Sequence, residues 1–388
     1  MSLMPLTEEQ REIQQLARDF ASTELAPHAA QWDREAHFPV AVARRMGELG
    51  FLGMLVPEQY DGLGLDTTSY LIALEEIAAA DASAAVLMSV HNSLPTQMLL
   101  NFGSDEQRER FLRPMARGEM IGAFALSEAD AGSDASALRC QAVRSDDGAS
   151  WILNGTKSWV SSGSFADAIM VMARTDTPEA RRRSKGISAF IVTPDLPGFH
   201  VGKKEDKMGL RASPTVQLNF DGLRVPAANL LGDGGQGFVY AMRSLDNGRL
   251  GIAAQALGIA RAALDASLDY AAERKQFGQP IKDFQAIQFK LADMSSRIAA
   301  ARALLHATAA AKDRGESTTL HGSMSKLLAS ETAMYVTSEA IQIFGGYGYV
   351  KEYPVERYFR DAKVTAIYEG TSEIQRIVIA RELYAARG

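Results

Sequence analysis

The stretch FQAIQFKLADMSSRIAAARALL, residues 284–305, decides the fold, because Phe284, Ile287, Leu291, Met294, Ile298, Ala301 and Leu305 recur at steps of three and four without a miss. That period places one apolar stripe along one face of a long helix, which is the seam of a bundle. Met324, Leu327, Met334 and Ile341 repeat the pattern and predict a second bundle helix. Upstream of Gly237 the texture changes. Between about Phe124 and Val225, short β-prone runs at 151–153, 169–172, 187–192 and 216–220 are separated by the turn-forming pairs Asn154-Gly155, Pro197-Gly198 and Asp221-Gly222. This middle reads as an antiparallel sheet or barrel. Further out, Thr7 and Gln10 make a capping box ahead of Ile13, Leu16 and Phe20 at helical spacing. The expected architecture is therefore α+β and mostly α. It comprises an N-terminal α-helical domain over 1–121, a middle β domain over 122–234 and a C-terminal four-helix bundle over 235–388.

The 388 residues are 46% hydrophobic and 23% charged, the balance of an ordinary globular protein. A net charge of −6 without long runs of one sign carries no footprint for nucleic acid or for an anionic membrane surface. A single cysteine, Cys140, excludes an intrachain disulfide and a Cys-rich metal site, and points to a reducing compartment. His91, His306 and His321 are scattered without ligand spacing, so no metal is expected. No apolar run reaches the roughly 18 residues of a spanning helix. The acidic start, with Glu8, Glu9, Glu12 and Asp19, is unlike a signal or transit peptide, so the expected location is cytoplasmic, or organellar after trimming. The basic run from Arg181 to Lys185, beside Pro178 and Glu179, reads as a solvated hairpin loop.

Two motifs bear on chemistry. Gly232 to Gly237 satisfies G-x-G-x-x-G and opens a helix, yet a dinucleotide site needs a preceding strand in a parallel βαβ unit, and here Val225-Pro226 and a loop precede it. A flexible junction between sheet and bundle is the better reading. Near the end, Ile367-Tyr368-Glu369-Gly370-Thr371 places an acid after two bulky apolar residues and before a helix start. A carboxylate walled by Ile367 and Tyr368 loses hydration, and its pKa rises toward that of a general base. A plain capping acid is the competing reading.

The C-terminal run from Ile367 to Arg376 resembles the signature of the acyl-CoA dehydrogenases, and four further segments resemble that family in the same order. These are Leu126-Ser127-Glu128 with Ala131-Gly132-Ser133-Asp134, then Asn154 to Trp159, Arg274 to Gly278, and Gln342 to Gly346. The family's first signature usually has Pro-Gly where this chain has Ala129-Asp130. The resemblance implies FAD as cofactor, an acyl-CoA substrate, and a homotetramer that passes electrons to an electron-transfer flavoprotein. Glu369 falls on the base that removes the α-proton, and Gly248 occupies the place where some relatives carry the base instead.

The remaining assignments follow from the same resemblance. Ser127, Trp159 and Ser161 match positions around the flavin ring, Phe124 and Leu126 are equally readable as flavin contacts or as core, and Gly132 and Ser133 match the pyrophosphate loop, with Ser133 also near CoA. Arg274, Gln276 and Phe277, with Gln342, Gly345 and Gly346, match segments that reach a neighbouring subunit's FAD. Thr371 and Glu373 match contacts to the FAD phosphates and ribose, whereas Asp246, Arg249 and Gly370 match the substrate side. Taken without the family, Trp159 is a buried strand aromatic, Arg274 a surface arginine at a helix end, and Asp246 with Arg249 a bundle salt bridge. The run from Leu245 to Ala253 and the Tyr347-Gly-Tyr349 segment look most like the butyryl branch, which implies a short acyl chain. A branched or aryl acyl group, an oxidase and a non-catalytic acyl-CoA-binding relative are the alternatives.

Overall fold

The computed structural model describes residues 5–176 and 183–387. The N-terminal helices are α1 (Glu8–Phe20), α2 (Ala26–Glu35), α3 (Val40–Glu48), α4 (Thr67–Ala80), α5 (Ala82–Ser93), α6 (Pro95–Phe102), α7 (Asp105–Gln107) and α8 (Arg113–Ala116). The Thr7–Gln10 capping box is present, with both reciprocal hydrogen bonds at 3.1 Å. Phe20 is buried as the spacing requires, whereas Leu16 is exposed. A π-turn at Ala21–Leu25 joins α1 to α2, just ahead of Pro27, which has no N–H to offer the helical ladder. Helices α4 and α5 are buried nearly all round, which places them in the central layer rather than on a surface.

The central region carries β1 (Gly122–Ala125), β2 (Gln141–Arg144), β3 (Ser150–Ser161), β4 (Ala168–Arg174), β5 (Ile187–Val192), β6 (Phe199–Lys204), β7 (Thr215–Pro226) and β8 (Leu230–Leu231). Its order is β6-β7-β3-β2-β4-β5-β8, with β1 beside β4. Of the two forms expected, the open sheet is the one formed: among the described residues it does not close into a barrel. It is also mixed, since β1 and β2 each pair with β4 in parallel. Pro178, Glu179, Arg181 and Arg182 of the expected hairpin loop lie outside the described residues.

Two of the three expected turns are not turns. Asn154-Gly155 lies inside β3 and Asp221-Gly222 inside β7, directly across from it, and the register shifts between Leu153 and Gly155. Asn154 Oδ1 accepts from Gly222 N at 2.8 Å, so the side chain supplies the partner that the ladder loses there. Gly222, at φ +58, takes the left-handed conformation such an irregularity requires. Only Pro197-Gly198 separates two strands, β5 and β6.

The C-terminal part holds α9 (Gly237–Glu273), α10 (Gln285–Asp313), α11 (Thr319–Phe344), α12 (Val355–Thr365) and α13 (Ser372–Ala385). The seam read from the sequence is correct for α10: Met294, Ile298, Ala301 and Leu305 are buried, and Phe284, Ile287 and Leu291 pack against the same core. It is displaced for α11. Met324, Leu327, Met334 and Ile341 are only partly buried, while the inner face is small and polar, with Ser323, Lys326, Ala329, Ser330, Ala333, Thr337 and Ala340. Small residues let α11 and α9 approach closely, so the larger apolar residues end up on the flank.

Buried ion pairs tie the layers together. Glu76 on α4 meets Arg18 of α1 at 2.9 Å and Arg261 of α9 at 2.7 Å, and Glu75 meets Arg302 of α10 at 2.5 Å. Asp361 of α12 accepts from Leu210 N of the central region at 2.6 Å, and burial lifts its carboxyl to about 7.

Candidate active site

Glu369 precedes α13 by three residues, in a turn where both it and Gly370 hold positive φ, +51 and +88. Left-handed backbone is costly for a non-glycine residue, so the surroundings must impose it. Two buried side chains do so. Lys326 Nζ donates to Gly370 O at 2.8 Å, and Gln375 Nε2 donates to Gly370 O at 2.9 Å and to Glu369 O at 3.2 Å. Thr371 caps α13 by accepting from Ile374 N, so Glu369 is not the cap. The preceding Tyr368 hydroxyl donates to Gln255 Oε1 of α9.

The carboxylate lies flat against α9 at Gly248. A Cβ placed on Gly248 would stand 1.8 Å from Glu369 Oε2 and 2.6 Å from its Cδ, so the glycine is required by the acid above it. The backbone of Glu369 leaves the residue partly exposed, but both carboxylate oxygens are sealed from solvent and neither has a hydrogen-bond partner among the described residues. Burial pushes the carboxyl up to about 7, against the opposing pull of Lys326 and Arg249. Burial also draws the Lys326 ammonium down to about 8. The sequence reading had the direction right and the wall wrong: Ile367 is 51% exposed, and Gly248, Lys326 and Arg249 enclose the acid instead.

Asp246 and Arg249 do form the salt bridge, at 2.6 Å, and Arg249 Nη1 also donates to Ser323 Oγ at 3.2 Å. Arg249 Nε nevertheless remains buried without a partner among the described residues. A guanidinium this enclosed keeps one donor free toward the same corner as the orphan carboxylate.

The sheet contributes a second wall. Ser158 N donates to Ser127 O at 2.9 Å and Lys157 Nζ to Leu126 O at 3.0 Å, which joins the segment after β1 to the end of β3. Lys157 is fully buried and paired to Glu128 at 2.7 Å, so Glu128 is an anchor for this junction. Trp159 sits where the β3–β7 register shifts, at φ +63, with its indole 61% exposed. It is therefore not a buried strand aromatic; the bulge turns a large flat ring outward. Ser161 and Phe124 are partly buried, and Phe124 packs against both the helical core and the core between helices and sheet. Gly132 and Ser133 lie in an exposed loop, with open space beside the Gly132 Cα. Thr371 and Glu373 stand at the start of α13, with Glu373 exposed.

A third group sits elsewhere. Arg274 and Gln276, just past the end of α9, line a cavity of about 790 Å³ with Gly345, Gly346, Tyr347 and Tyr353, and no residue of the sheet lines it. The Arg274 guanidinium lies 5.4 Å from the Tyr347 ring centroid. Phe277 is 94% exposed at φ +52, and Gln342 is exposed at the end of α11 without lining the cavity. Gly370, Asp246, Arg249 and Glu369 thus gather at one corner, Leu126, Ser127, Trp159 and Ser161 at another, and the Arg274 and Gly345 segments form a separate surface.

Sequence reasoning missed Lys326, Gln375, Gln255, Tyr70 and Ser89, all buried or part-buried around the acid. A lysine in a helix of ordinary composition gives no sign of facing inward. The glycine-rich segment before α9 follows no parallel βαβ strand, since β8 pairs antiparallel to β5, but it is a close-packed junction rather than a loose one: Gly235 N donates to Ser188 Oγ at 2.8 Å, and a Cβ on Gly237 would come within 2.3 Å of Ser188. Those glycines serve close packing of α9 on β5. His91 is likewise structural, bonded to Met115 O at 3.1 Å and accepting from Gly122 N at 3.0 Å, with burial holding it neutral and its pKa near 4. Among the described residues no cluster of metal-binding side chains occurs, and no helix is long and apolar enough to cross a membrane.

The residues fit a flavin: an exposed indole held in strained backbone, Ser127 and Ser161 on the segments that meet at the end of β3, and a glycine loop open to phosphate. Comparison with known proteins agrees. Residues 7–119, 123–223 and 235–384 match the N-terminal, middle and C-terminal domains of acyl-CoA dehydrogenase, respectively. The chain is 52% identical over 378 residues to the short-chain specific acyl-CoA dehydrogenase, mitochondrial, of Mus musculus, covering 97% of this chain and 90% of that one. Butyryl-CoA dehydrogenase from Megasphaera elsdenii superimposes with a TM-score of 0.95 at 44% identity, over 98% and 99% of the two chains. A chain from work on the electron transferring flavoprotein of Acidaminococcus fermentans and flavin-based electron bifurcation gives 0.95 at 46% identity, over 99% of each. With three domains matched in order along its length, this chain belongs to the acyl-CoA dehydrogenase family.

Proposed function

We propose that the chain is an FAD-dependent dehydrogenase of short acyl-CoA thioesters, with Glu369 as the base that takes the α-proton. The observation that carries this reading is the buried Glu369 carboxylate, raised to about 7 and lacking a partner for either oxygen among the described residues. A carboxyl at that pKa divides between acid and base near neutral pH, which suits reversible proton removal from a weak carbon acid. When bound, FAD supplies the acceptor for the hydride that leaves Cβ. The chain's own part is to hold the base over Gly248, fix the Glu369–Gly370 backbone through Lys326 and Gln375, and exclude water from the proton's path. We assign the Glu369 N–H, in the turn that this clamp holds, as a donor to the thioester oxygen.

Ser127, Ser161, Trp159, Phe124 and Leu126 are the residues we assign to the flavin ring, and Gly132, Ser133, Thr371 and Glu373 to its phosphates and ribose. Arg274, Gln276, Phe277, Gln342, Gly345 and Gly346 would serve a second chain's cofactor. That assignment is favoured by their lying on a surface to which the sheet adds no lining residue. Asp246, Arg249, Gly370 and Ser133 are assigned to the acyl-CoA. A homotetramer is supported by Phe289, Ile377 and Leu383, which expose 64%, 62% and 48% of themselves on the bundle helices of the single chain. An electron-transfer flavoprotein as acceptor, in the cytoplasm, completes the reading, and the likeness to the Acidaminococcus fermentans chain favours it.

Anaerobic mixing of the yellow protein with acyl-CoAs of four to sixteen carbons tests the function. Rapid bleaching by butyryl-CoA is expected, and a colourless protein that takes up no FAD would refute the reading.

A further inference from the structure

The face of α9 that carries Gly248 carries a second glycine, Gly251, three residues on and ~4.5 Å along the axis. A Cβ there would stand 2.4 Å from Ser89 Oγ, 3.1 Å from Tyr70 Oη and 3.5 Å from Leu74 Cδ2. The hydroxyls of Tyr70 on α4 and Ser89 on α5 thus lie one turn of α9 beyond the base. Tyr70 is 1% and Ser89 0% exposed. The two hydroxyls are close enough for each to influence the other, yet neither has a partner in hydrogen-bonding geometry among the described residues. Tyr70 also senses the Glu369 charge, so hydroxyls and carboxylate belong to one enclosed corner.

Buried hydroxyls are almost always paired. Here Tyr70 Oη and Ser89 Oγ have at most each other, and both Glu369 oxygens have no partner among the described residues, along a glycine-bared strip of one helix. The strip carries no side chain of its own, with a base at one end and two under-satisfied hydroxyls at the other. We propose that Tyr70 and Ser89 form the polar end wall of the acyl chamber and restrict it to short chains. A short chain leaves room for a water to satisfy both hydroxyls, whereas a longer one presses methylenes onto them and strips that water away. The penalty falls on the tail and not on the reacting carbons, so it discriminates by length without altering the proton step.

This inference rests on the acyl-CoA reading and is tested by kcat/KM for butyryl-, hexanoyl- and octanoyl-CoA. The proteins compared are the flavin-loaded wild type, Tyr70→Phe, Ser89→Ala and the double variant. The double variant should raise the hexanoyl-to-butyryl ratio of kcat/KM about tenfold, the scale of one unpaired buried polar contact. Tyr70→Phe preserves the ring, so if the double variant fails to fold this single change still decides, with an expected rise of about threefold. An unchanged ratio in a well-folded Tyr70→Phe protein would overturn the end wall alone. A wild type that no acyl-CoA bleaches would overturn the underlying function, and this inference with it.

Discussion

The corner around Glu369 and the surface around Arg274 use polar groups in opposite ways. At Glu369 the chain buries an acid, a lysine, an arginine and two amides, and every backbone carbonyl of the Glu369–Gly370 turn is held by Lys326 or Gln375. At Arg274 the polar and aromatic residues face outward, with Phe277 94% and Tyr349 87% exposed and a cavity open beside them. The first arrangement is enclosed within one chain, and the groups it leaves unpaired among the described residues include both carboxylate oxygens of Glu369. The second stays open in the single chain. On the proposed assignment, chemistry is built where the fold can exclude water, and recognition of the cofactor's far end falls to a second chain.

That contrast is open to direct challenge, beginning with the largest expected effect. Gly248→Ala should slow flavin reduction by about 100-fold with folding intact, because a Cβ 1.8 Å from Glu369 Oε2 forces the carboxylate off its seat. Rapid-mixing kinetics would show it, and an unchanged rate would mean that the acid works from another position. Arg274→Ala should weaken FAD retention by about tenfold or more while leaving the pH dependence of the remaining activity alone. Flavin content after dialysis measures this, and full occupancy would place Arg274 outside the cofactor site. The two variants together separate the corners: one changes the rate at full flavin, the other the flavin at an unchanged pH profile.

Lys326→Met should move the acid limb of the rate profile upward by about one pH unit, since the carboxylate loses the nearest cation that favours its charged form. The charged and titratable groups facing Glu369 are Lys326 from α11, Arg249 from α9, Tyr70 from α4 and the preceding Tyr368, so Arg249 would be the one cation left to oppose burial. Lys326→Arg should restore much of the original profile; a limb that stays put in both variants would limit Lys326 to holding the turn. The smallest effect is on stability. The folded Glu369 pKa, about 7, exceeds its ordinary value of 4.5, so the folded state prefers the protonated acid and burial of the charge costs stability above pH 7. Glu369→Gln should therefore gain on the order of 1–3 kcal/mol at pH 8, with the gain shrinking as pH falls through 7 and gone below 4.5. Equal melting temperatures at pH 8 would show that the charge is better solvated than its surroundings suggest.

What the sequence disclosed follows from which signals are local. Period and capping are local, so the α10 seam and the Thr7 cap could be read directly, as could the order of helical, β and helical parts. The α11 face was misplaced because close approach to α9 rewards small residues, and a reader of hydrophobicity looks for large ones. Asn154-Gly155 and Asp221-Gly222 have turn chemistry, yet each is the other's partner across two strands, a fact that only the pairing supplies. Glu369 was legible through motif resemblance, and Gly248 as a site unable to supply the base. Lys326, Tyr70 and Ser89 were not legible, because nothing near them in sequence marks them as facing an acid more than forty residues away.

The most direct test of the central claim is the rate of anaerobic flavin reduction by butyryl-CoA between pH 5.5 and 9, in the wild type and in Glu369→Gln. We predict a wild-type rate that rises with pH and levels off around an apparent pKa of about 7, and a variant slower by about 1,000-fold throughout with its flavin retained. A Glu369→Gln protein that bleaches at a rate near the wild type's would show that another group takes the proton, and the account of this corner would fail.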